Sequence, residues 1–210
     1  MAGNCIIDDE ICCEASRQEI IRRYYHTLCD FRLGRVEDSA VYKEELLMSQ
    51  AGVSPEDRPV VKAALDRAED TKMPATAIQL HTGEVITGKT TSLLGASAAV
   101  LLNSLKHLAG IAHEIPLISP IIIEPIQTLK TKHLGNNNPR LHTDEILIAL
   151  SICAATNPMA ELALQQLPKL SGCEAHSSVI LSQVDSSVFR KLGVNLTCEP
   201  RYQTKKLYHK

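Results

Sequence analysis

The chain has 210 residues, of which 44% are hydrophobic, and this is enough for one large domain or two small ones with an ordinary packed core. Lys and Arg total 22 against 24 Asp and Glu, a near balance that argues against a nucleic-acid coat or a basic membrane-surface protein. Tryptophan is absent and only two Phe and five Tyr occur, so an aromatic platform for stacking bases is not expected.

Three helices are predicted first. Ser16 is expected to cap a helix that Gly34 ends, a second helix covers 37–50, and Ser54 with Pro55 starts a third that continues to Asp70. Residues 1–16 look like an atypical leader, and 17–73 are expected to form a three-helix segment.

An α/β pattern follows from Pro74 onward. Strands are predicted over 75–80 and 84–87 around a turn at Thr82-Gly83, and a helix over 91–108. Ser119-Pro120 opens an apolar segment in which Pro125 indicates a kink or an edge position.

The last third combines a loop, helices and a crossover unit. Residues 133–140 have loop composition, Thr143 is expected to cap a helix that Asn157-Pro158 breaks, and a short helix runs to 167. A strand over 176–181, a helix over 185–192 and a strand over 194–198 complete the pattern, before a basic tail over 201–210. The chain is therefore predicted to be an α/β protein: a helical lead-in, then a mixed sheet flanked by helices over 74–210.

The chain ends and the cysteines indicate a soluble, cytoplasmic protein. The first ten residues carry three acids and no basic segment, unlike a secretory signal. The most apolar helical stretch, 93–102, is too short to cross a bilayer. The seven cysteines are odd in number and show no framework spacing, so we expect reduced thiols.

Several long segments resemble one bacterial family. They are IIRRYY (20–25), GVSPEDR (52–58), TGKTTSLLGASAAVLLN (87–103), NPRLHTDEILIALSICAATNP (138–158) and LPKLSGCEAHSSVILSQVD (167–185). The chain resembles the C-terminal part of the domain-of-unknown-function family 1846 from about Glu19 to its end. The resemblance implies that a large N-terminal α/β half is absent here, and that a site shared between the halves would be incomplete. It implies no established reaction.

Some members of that family are described as zinc proteases, a chemistry that needs His-Glu-x-x-His on a helix. His113-Glu114 begins this pattern, but Leu117 stands where the second histidine would be. Another zinc hypothesis combines Cys173, His176 and Cys198 with His142 as fourth ligand. The alternative is that the cysteines are small buried residues and His176 a hydrogen-bonded strand histidine, and no metal is expected. A Cys173–His176 nucleophile and base pair is disfavoured, because residues three apart on a strand point to opposite faces.

A second motif lies between Gly83 and Thr90, which match the letters G-x-x-x-x-G-K-T of a phosphate-binding loop. Glu84 would put a negative charge where phosphates sit, and a hairpin turn before a helix explains the same letters. A weaker form of the hypothesis places an anion at a helix N-terminus, held by Gly88, Lys89, Thr90 and Thr91.

The most polar segment is 136–145, at a predicted loop-to-helix junction. Arg140 could bind an anion there, and His142 with Asp144 could transfer a proton. The alternative is a surface loop followed by an ordinary helix cap, with Thr143 and Glu145 in its first turn.

Two functions remain open from the sequence. The first is a ligand-binding or enzyme-associated domain for a small anionic molecule, using Lys89, Thr90, Arg140, His142 and Asp144, with an N-terminal half as partner. The second is a structural module of a homo-oligomer, in which the Leu/Ala face of 93–108 packs between subunits and a charge at Ala98 or Ala99 dissociates them. No nucleic-acid or membrane partner is expected, and no cofactor is indicated.

Overall fold

The computed structural model describes residues 8–203, which form eight α-helices and one four-stranded sheet. The helices are α1 (Asp9–Arg32), α2 (Asp38–Ala51), α3 (Pro59–Thr71), α4 (Ala96–Leu108), α5 (Pro120–Thr128), α6 (Thr143–Ala154), α7 (Pro158–Leu164) and α8 (Gln183–Lys191). The strands are β1 (Ala75–Gln79), β2 (Val85–Lys89), β3 (Glu174–Ser177) and β4 (Asn195–Cys198). Short 3-10 turns cover Pro55–Asp57 and Leu167–Leu170, and a π-helical turn covers Leu129–His133.

The sheet has the strand order β2-β1-β3-β4. Strand β1 pairs antiparallel with both β2 and β3, while β3 and β4 are parallel and are joined through α8. Because a parallel pair needs a crossover connection, the predicted strand–helix–strand unit forms here, but its first strand is Glu174–Ser177 and not the predicted 176–181. The prediction of an α/β fold with a mixed sheet flanked by helices is confirmed.

Helices cover both faces of this sheet. Alternate residues of a strand point to opposite faces, and in β1 Ala77 packs with Val60 and Ala64 of α3, whereas Ile78 enters the main core. That core is formed mainly by α4, α6, α7 and α8, and its fully buried members include Leu101, Leu105, Ile146, Leu150 and Phe189. The α4 face of the sheet therefore carries most of the hydrophobic stabilisation.

Helix α1 begins earlier than predicted. The Asp8 carboxylate accepts a hydrogen bond from the Ile11 amide at 3.0 Å and caps the helix, and Asp9 and Glu10 follow in its first turn. Ser16 lies inside the helix, with its hydroxyl bonded to the Cys12 carbonyl at 2.8 Å. Residues 9–16, half of the predicted leader, are therefore helical, while residues 1–7 and most of the basic tail, 204–210, lie outside the described residues. The predicted division at 73/74 stays a prediction.

Helix α4 begins later than predicted, and it lies in the main hydrophobic core. The Thr91 hydroxyl accepts from the Leu93 and Leu94 amides, and Leu94 forms a parallel bridge with Leu141, so the helix starts only at Ala96. Within α4, Ala98 is fully buried and Ala99 is 9% exposed. The small residues of α4 therefore pack inside the chain, and the expected role of this face in an oligomer stays a prediction.

Two further expectations have structural outcomes. Pro125 lies inside α5, so the apolar segment after Ser119 is a helix and not an edge strand. Over residues 8–203, no helix combines the length and apolar character that a bilayer crossing requires.

Candidate functional site

Several segments meet around a small cavity of about 20 Å³, among them the residue after β2, the start of α4, the loop before α6 and the start of α8. Thr90, Ser97, Arg140, His142 and Asp185 line it, and we refer to these five residues as the α4 site. A cavity of this size holds a group about as large as one water molecule. The sequence places these residues far apart, and the packing of α4, α6 and α8 brings them together.

His142 and Asp185 form the charged pair of this site. His142 is the N-cap of α6, and its Nδ1 lies 3.0 Å from Asp185 Oδ2. The other carboxylate oxygen, Oδ1, accepts from the Thr143 amide at 2.9 Å and from the Thr143 hydroxyl at 3.0 Å. The Ser182 hydroxyl donates to Oδ2 at 2.8 Å and also caps α8. Four donors thus hold a carboxylate that is only 5% exposed.

The pair is stabilised in its charged form. The hydrogen bond that the imidazole donates to the Asp185 carboxylate raises the pKa of His142, against the opposing effect of burial. Burial alone would raise the pKa of Asp185, but the bonds from His142, Thr143 and Ser182 outweigh it and hold the pKa below its ordinary value. Since Nδ1 faces Asp185, Nε2 is the nitrogen left for a ligand, and it makes no hydrogen bond within the described residues.

The structure does not pair His142 with Asp144. The Asp144 carboxylate accepts a hydrogen bond from the next amide of its own helix, that of Glu145, at 2.8 Å. Asp185, which follows His142 by 43 residues, is the partner of His142 in place of Asp144, which the sequence analysis assigned to that role. Glu145 completes a capping box by accepting from the His142 amide at 2.8 Å. A helix cap is therefore present, but the N-cap is His142 and not the predicted Thr143, which is the first residue of α6. The His142–Asp185 pair lies beside this cap.

A buried lysine fixes the loop before α6. Lys130 is 4% exposed and donates to Glu145 Oε2 and to the Arg140 carbonyl, both at 2.7 Å. The Arg140 side chain donates from Nε to the Thr91 carbonyl at 2.7 Å. Its terminal guanidinium nitrogens form no ion pair within residues 8–203. The Arg140 side chain is thus fixed through Nε, while the positive charge of its guanidinium has no carboxylate partner within the described residues.

Thr90 and the start of α4 add further donors. Thr90 is 2% exposed, and its hydroxyl has no hydrogen-bond partner although it is buried. A buried hydroxyl without a partner is unfavourable, so the Thr90 hydroxyl is available to bond a group that enters the cavity. The N-cap of α4 is Gly95, so no side chain caps the free amides of its first turn.

Only one residue of the predicted anion-binding segment lines the cavity, and it is Thr90. Gly88 lies in β2, where an added Cβ would come within 2.2 Å of the Val100 amide nitrogen, so the glycine permits close packing of β2 against α4. Lys89 is the next residue of the strand, points to the other face and does not line the cavity. Thr91 contributes its carbonyl to Arg140. The structure therefore does not form a phosphate loop from 83–90.

The predicted zinc ligands do not meet. Cys173 is buried in the main core, and its Sγ lies 3.6 Å from the Lys169 carbonyl. His176 is buried on the opposite face, with Nδ1 at 2.9 Å from the Thr197 hydroxyl and Nε2 at 3.3 Å from Glu199 Oε1. Burial raises the pKa of the Cys198 thiol to about 12. Over residues 8–203, no three His, Cys, Asp or Glu side chains are grouped as metal ligands, so this zinc hypothesis is wrong.

Sequence reasoning also missed a buried arginine. Arg58 is fully buried and donates to Glu174, to the Asn195 carbonyl at 2.8 Å and to the Ala175 carbonyl at 3.0 Å. It joins the start of α3 to β3 and β4, and it does not line the cavity. Its role is structural, because each of these bonds satisfies a buried or partly buried group of the sheet.

A larger groove of about 1160 Å³ lies between α1, β4 and α8. His26 Nε2 lies 3.0 Å from the Leu196 carbonyl, and Cys29 Sγ lies 3.2 Å from the Cys198 carbonyl, so side chains of α1 cover the free edge of β4. Arg22 and Arg35 line this groove, but each is paired with a carboxylate. Arg190 also lines the groove and forms no ion pair within the described residues, so the groove keeps one uncompensated arginine.

Comparison with known proteins identifies the relatives of the chain. Sequence models of one family match it twice: domain of unknown function DUF1846, N-terminal, over 1–52, and DUF1846, C-terminal, over 56–208. UPF0371 proteins of Corynebacterium efficiens and Streptococcus uberis are each 55% identical to it over 210 residues, and one of Streptococcus pyogenes serotype M5 is 54% identical. These matches cover 100% of the chain and 42% of each relative.

These matches change two expectations. Residues 1–52 match the N-terminal model of the family, so the expected absence of that part is not supported. Residues 1–16 fall within matches that cover the whole chain, so they are not foreign to the family. The chain nevertheless spans 42% of the length of these relatives.

Proposed function

We propose that this chain, which belongs to the DUF1846 family, binds a small anionic group at the α4 site and places an acid–base histidine beside it. The observation that carries this proposal is the convergence of donors without partners at one cavity: Arg140, Nε2 of His142 and the buried hydroxyl of Thr90. All three favour a ligand that accepts hydrogen bonds.

The charges around the cavity support an anion rather than a cation. Asp185 is compensated by His142, and Glu145 by Lys130 at 2.7 Å. Arg140 adds a positive charge without a carboxylate partner. The N-terminus of α4 contributes about half a positive charge from the helix dipole. The cavity therefore has a net positive field, in which an anion replaces the missing partners.

The size of the cavity limits what enters it. A volume of about 20 Å³ takes a single oxygen atom of a ligand, whose remaining atoms lie outside. A phosphate, sulfate or carboxylate group satisfies this geometry, because one oxygen can accept from Thr90 while another accepts from Arg140. The anion is thus the end of a substrate, and the rest of the substrate contacts other surfaces.

His142 supplies the acid–base function. Asp185 orients the imidazole through Nδ1, so the proton on Nε2 is given to, or taken from, a group in the cavity. The raised pKa of His142 keeps the imidazole protonated to higher pH than an ordinary histidine. This protonated form also favours anion binding.

Calorimetric titration with inorganic sulfate, at constant ionic strength, tests the proposal. Arg140→Ala removes an ionic hydrogen-bond donor worth ~1.5–3 kcal/mol, so we expect sulfate to bind roughly 10- to 100-fold more weakly. Arg67→Ala is the matched control, because Arg67 is an exposed arginine of α3 on the other side of the sheet. Sulfate keeps its charge near neutral pH, so its affinity should fall as the pH rises through the raised pKa of His142. Equal affinities of the two variants would contradict the proposal.

A further inference from the structure

The groove between α1, β4 and α8 runs along the free edge of the sheet. Its α1 wall extends from Glu19 to Leu33, a length of about 20 Å at the rise of an α-helix. An extended peptide advances ~3.3 Å per residue, so about six of its residues fit this length. The opposite wall is one polar face of α8, which consists of Gln183, Ser186, Ser187 and Arg190. With a volume of about 1160 Å³, the groove has room for a short segment of another chain.

The backbone of β4 points alternately to β3 and to this groove. Asn195 and Glu199 donate their amides to carbonyls on the β3 side, at 2.9 Å and 2.8 Å. Successive residues of a strand alternate in direction, and the N–H and C=O of one residue point to the same side. The amides and carbonyls of Leu196 and Cys198 therefore point away from β3, toward the groove that these two residues line.

Side chains of α1 satisfy only the carbonyls of this edge. His26 donates to the Leu196 carbonyl at 3.0 Å, and Cys29 donates to the Cys198 carbonyl at 3.2 Å. The amides of Leu196 and Cys198 donate no hydrogen bond within residues 8–203. The α1 side chains thus supply the donors of a neighbouring strand but not its acceptors. The edge lacks two acceptors about 7 Å apart, which is the spacing of alternate carbonyls in an extended chain.

The groove also has one positive charge more than its own carboxylates neutralise. Arg22 pairs with Glu19 at 2.7 Å, and Arg35 pairs with Asp30 at 3.0 Å. Arg190 lines the groove without an ion pair in the part of the chain that the structure describes. This charge favours a ligand that carries a carboxylate over one that carries an amine.

We propose that the groove binds an extended peptide with a carboxylate side chain, which adds to the sheet beside β4. Two carbonyls of the peptide accept from the amides of Leu196 and Cys198, and its own amides donate to the second lone pairs of the same two strand carbonyls. The carboxylate pairs with Arg190. The Gly193 amide donates to the Arg190 carbonyl at 3.1 Å, so this arginine lies at the end of the groove where β4 begins.

This inference does not rest on the proposed function. Arg190, Leu196 and Cys198 line the groove, and none of them lines the cavity of the α4 site. Either proposal can therefore fail while the other stands.

An NMR titration of the isotope-labelled chain tests the proposal. The probe is a capped hexapeptide in which valine and glutamate alternate, and the matched probe has lysine in place of glutamate. We expect the glutamate peptide to shift the amides of Leu196 and Cys198 along one saturating curve and to slow their hydrogen exchange. The amides of Asn195 and Glu199, which already bond toward β3, should be protected with or without peptide. The lysine peptide should bind more weakly.

Two variants examine the charge and the backbone separately. Arg190→Ala should weaken binding of the glutamate peptide about two- to fivefold, as the loss of an exposed ion pair does. Lys191→Ala is the control, because this exposed neighbour does not line the groove. Leu196→Pro removes an amide that faces the groove and no bond to β3, a replacement that edge strands accept. It should weaken binding when its circular dichroism matches that of the unmodified chain.

Several results would overturn the proposal. One is protection of the Leu196 and Cys198 amides in the free chain, and another is the absence of any response of these amides to the glutamate peptide. Equal binding of both peptides would reject the role of Arg190, and unchanged binding by folded Leu196→Pro would reject strand addition. Inorganic sulfate that shifts the same amides as strongly as the peptide would also overturn it, because the groove would then bind only an anion.

Discussion

Replacing Asp185 by asparagine is the most informative single perturbation of the α4 site. The side-chain oxygen of asparagine can still accept from the Thr143 amide and hydroxyl, as Oδ1 does now. Its NH₂ group then occupies the position of Oδ2 and faces Nδ1 of His142. Because two donors cannot bond each other, the imidazole proton must move to Nε2. We therefore expect His142 to change tautomer and to lose its raised pKa.

The magnitude follows from the bonds that are lost. A hydrogen bond to a charged group contributes ~1.5–3 kcal/mol, and the His142 bond is partly buried, with 26% of the imidazole exposed. We expect Asp185→Asn to lower the free energy of unfolding by about 2–3 kcal/mol where both groups are charged. Both groups are charged in the pH range between the ordinary pKa of the carboxyl, 3.8, and that of the imidazole, 6.5.

The free energy of unfolding that Asp185→Asn removes should become smaller as the pH rises from about 5 to about 8.5. The folded pKa of His142 is raised, so the contribution of the pair is complete below the unfolded pKa and is lost as the pH rises through the folded pKa. The pKa of Asp185 is lowered, so its contribution is present above the unfolded pKa and is lost as the pH falls through the folded pKa. The variant should therefore cost more stability at about pH 5 than at about pH 8.5.

Urea unfolding of both proteins at these two pH values, with an NMR titration of His142, measures both effects. The difference in cost should equal ~1.4 kcal/mol for each unit by which Asp185 raises the pKa of His142. Asp144→Asn is the control, because that carboxylate bonds to the Glu145 amide and not to His142. An equal cost at both pH values, or an equal fall in the His142 pKa in the Asp144 variant, would refute the reasoning.

Three further predictions concern the scaffold. Gly88→Ala places a Cβ 2.2 Å from the Val100 amide nitrogen and should lower the free energy of unfolding by at least ~2 kcal/mol in urea; an unchanged midpoint would contradict the packing of β2 on α4. Arg58→Ala leaves buried partners unpaired and should cost ~3–5 kcal/mol, whereas Lys62→Ala at an exposed position should leave the unfolding midpoint unchanged. Ala98→Glu puts a charge into the core and should lower the melting temperature of the chain by circular dichroism; a folded variant that only changes its size in gel filtration would instead support the oligomer hypothesis.

Local signals in the sequence located most elements of the fold. The second helix was predicted over 37–50, and α2 ends at Ala51, directly before Gly52, whose φ of 63° is a conformation that glycine adopts without strain. Asn157-Pro158 marks the break between α6 and α7 as predicted. These features depend on neighbouring residues only, so a single sequence contains the information. The start of α4 was placed too early, because the bridge between Leu94 and Leu141 is a long-range contact.

The α4 site was less predictable than the helices and strands, because it too depends on contacts between residues that are far apart in the sequence. Arg140, His142 and Thr90 were identified from a polar segment and a motif, and they line one cavity. Asp185 was missed because its contact with His142 depends on how α6 and α8 pack, and no local spacing reveals that. Asp144 was chosen because it is close in the sequence, but its carboxylate satisfies an amide of its own helix. Local spacing can identify a cap, but it cannot identify a partner from another element.

The most direct test of the anion site is an NMR titration of the isotope-labelled chain with sulfate. We predict that the His142 ring signals and the backbone amides at the start of α4, Ala96 to Ala98, shift together along one binding curve. The exposed control Arg67 should not shift. Shifts that spread over exposed lysines without saturating, or the absence of any change at His142, would contradict the account.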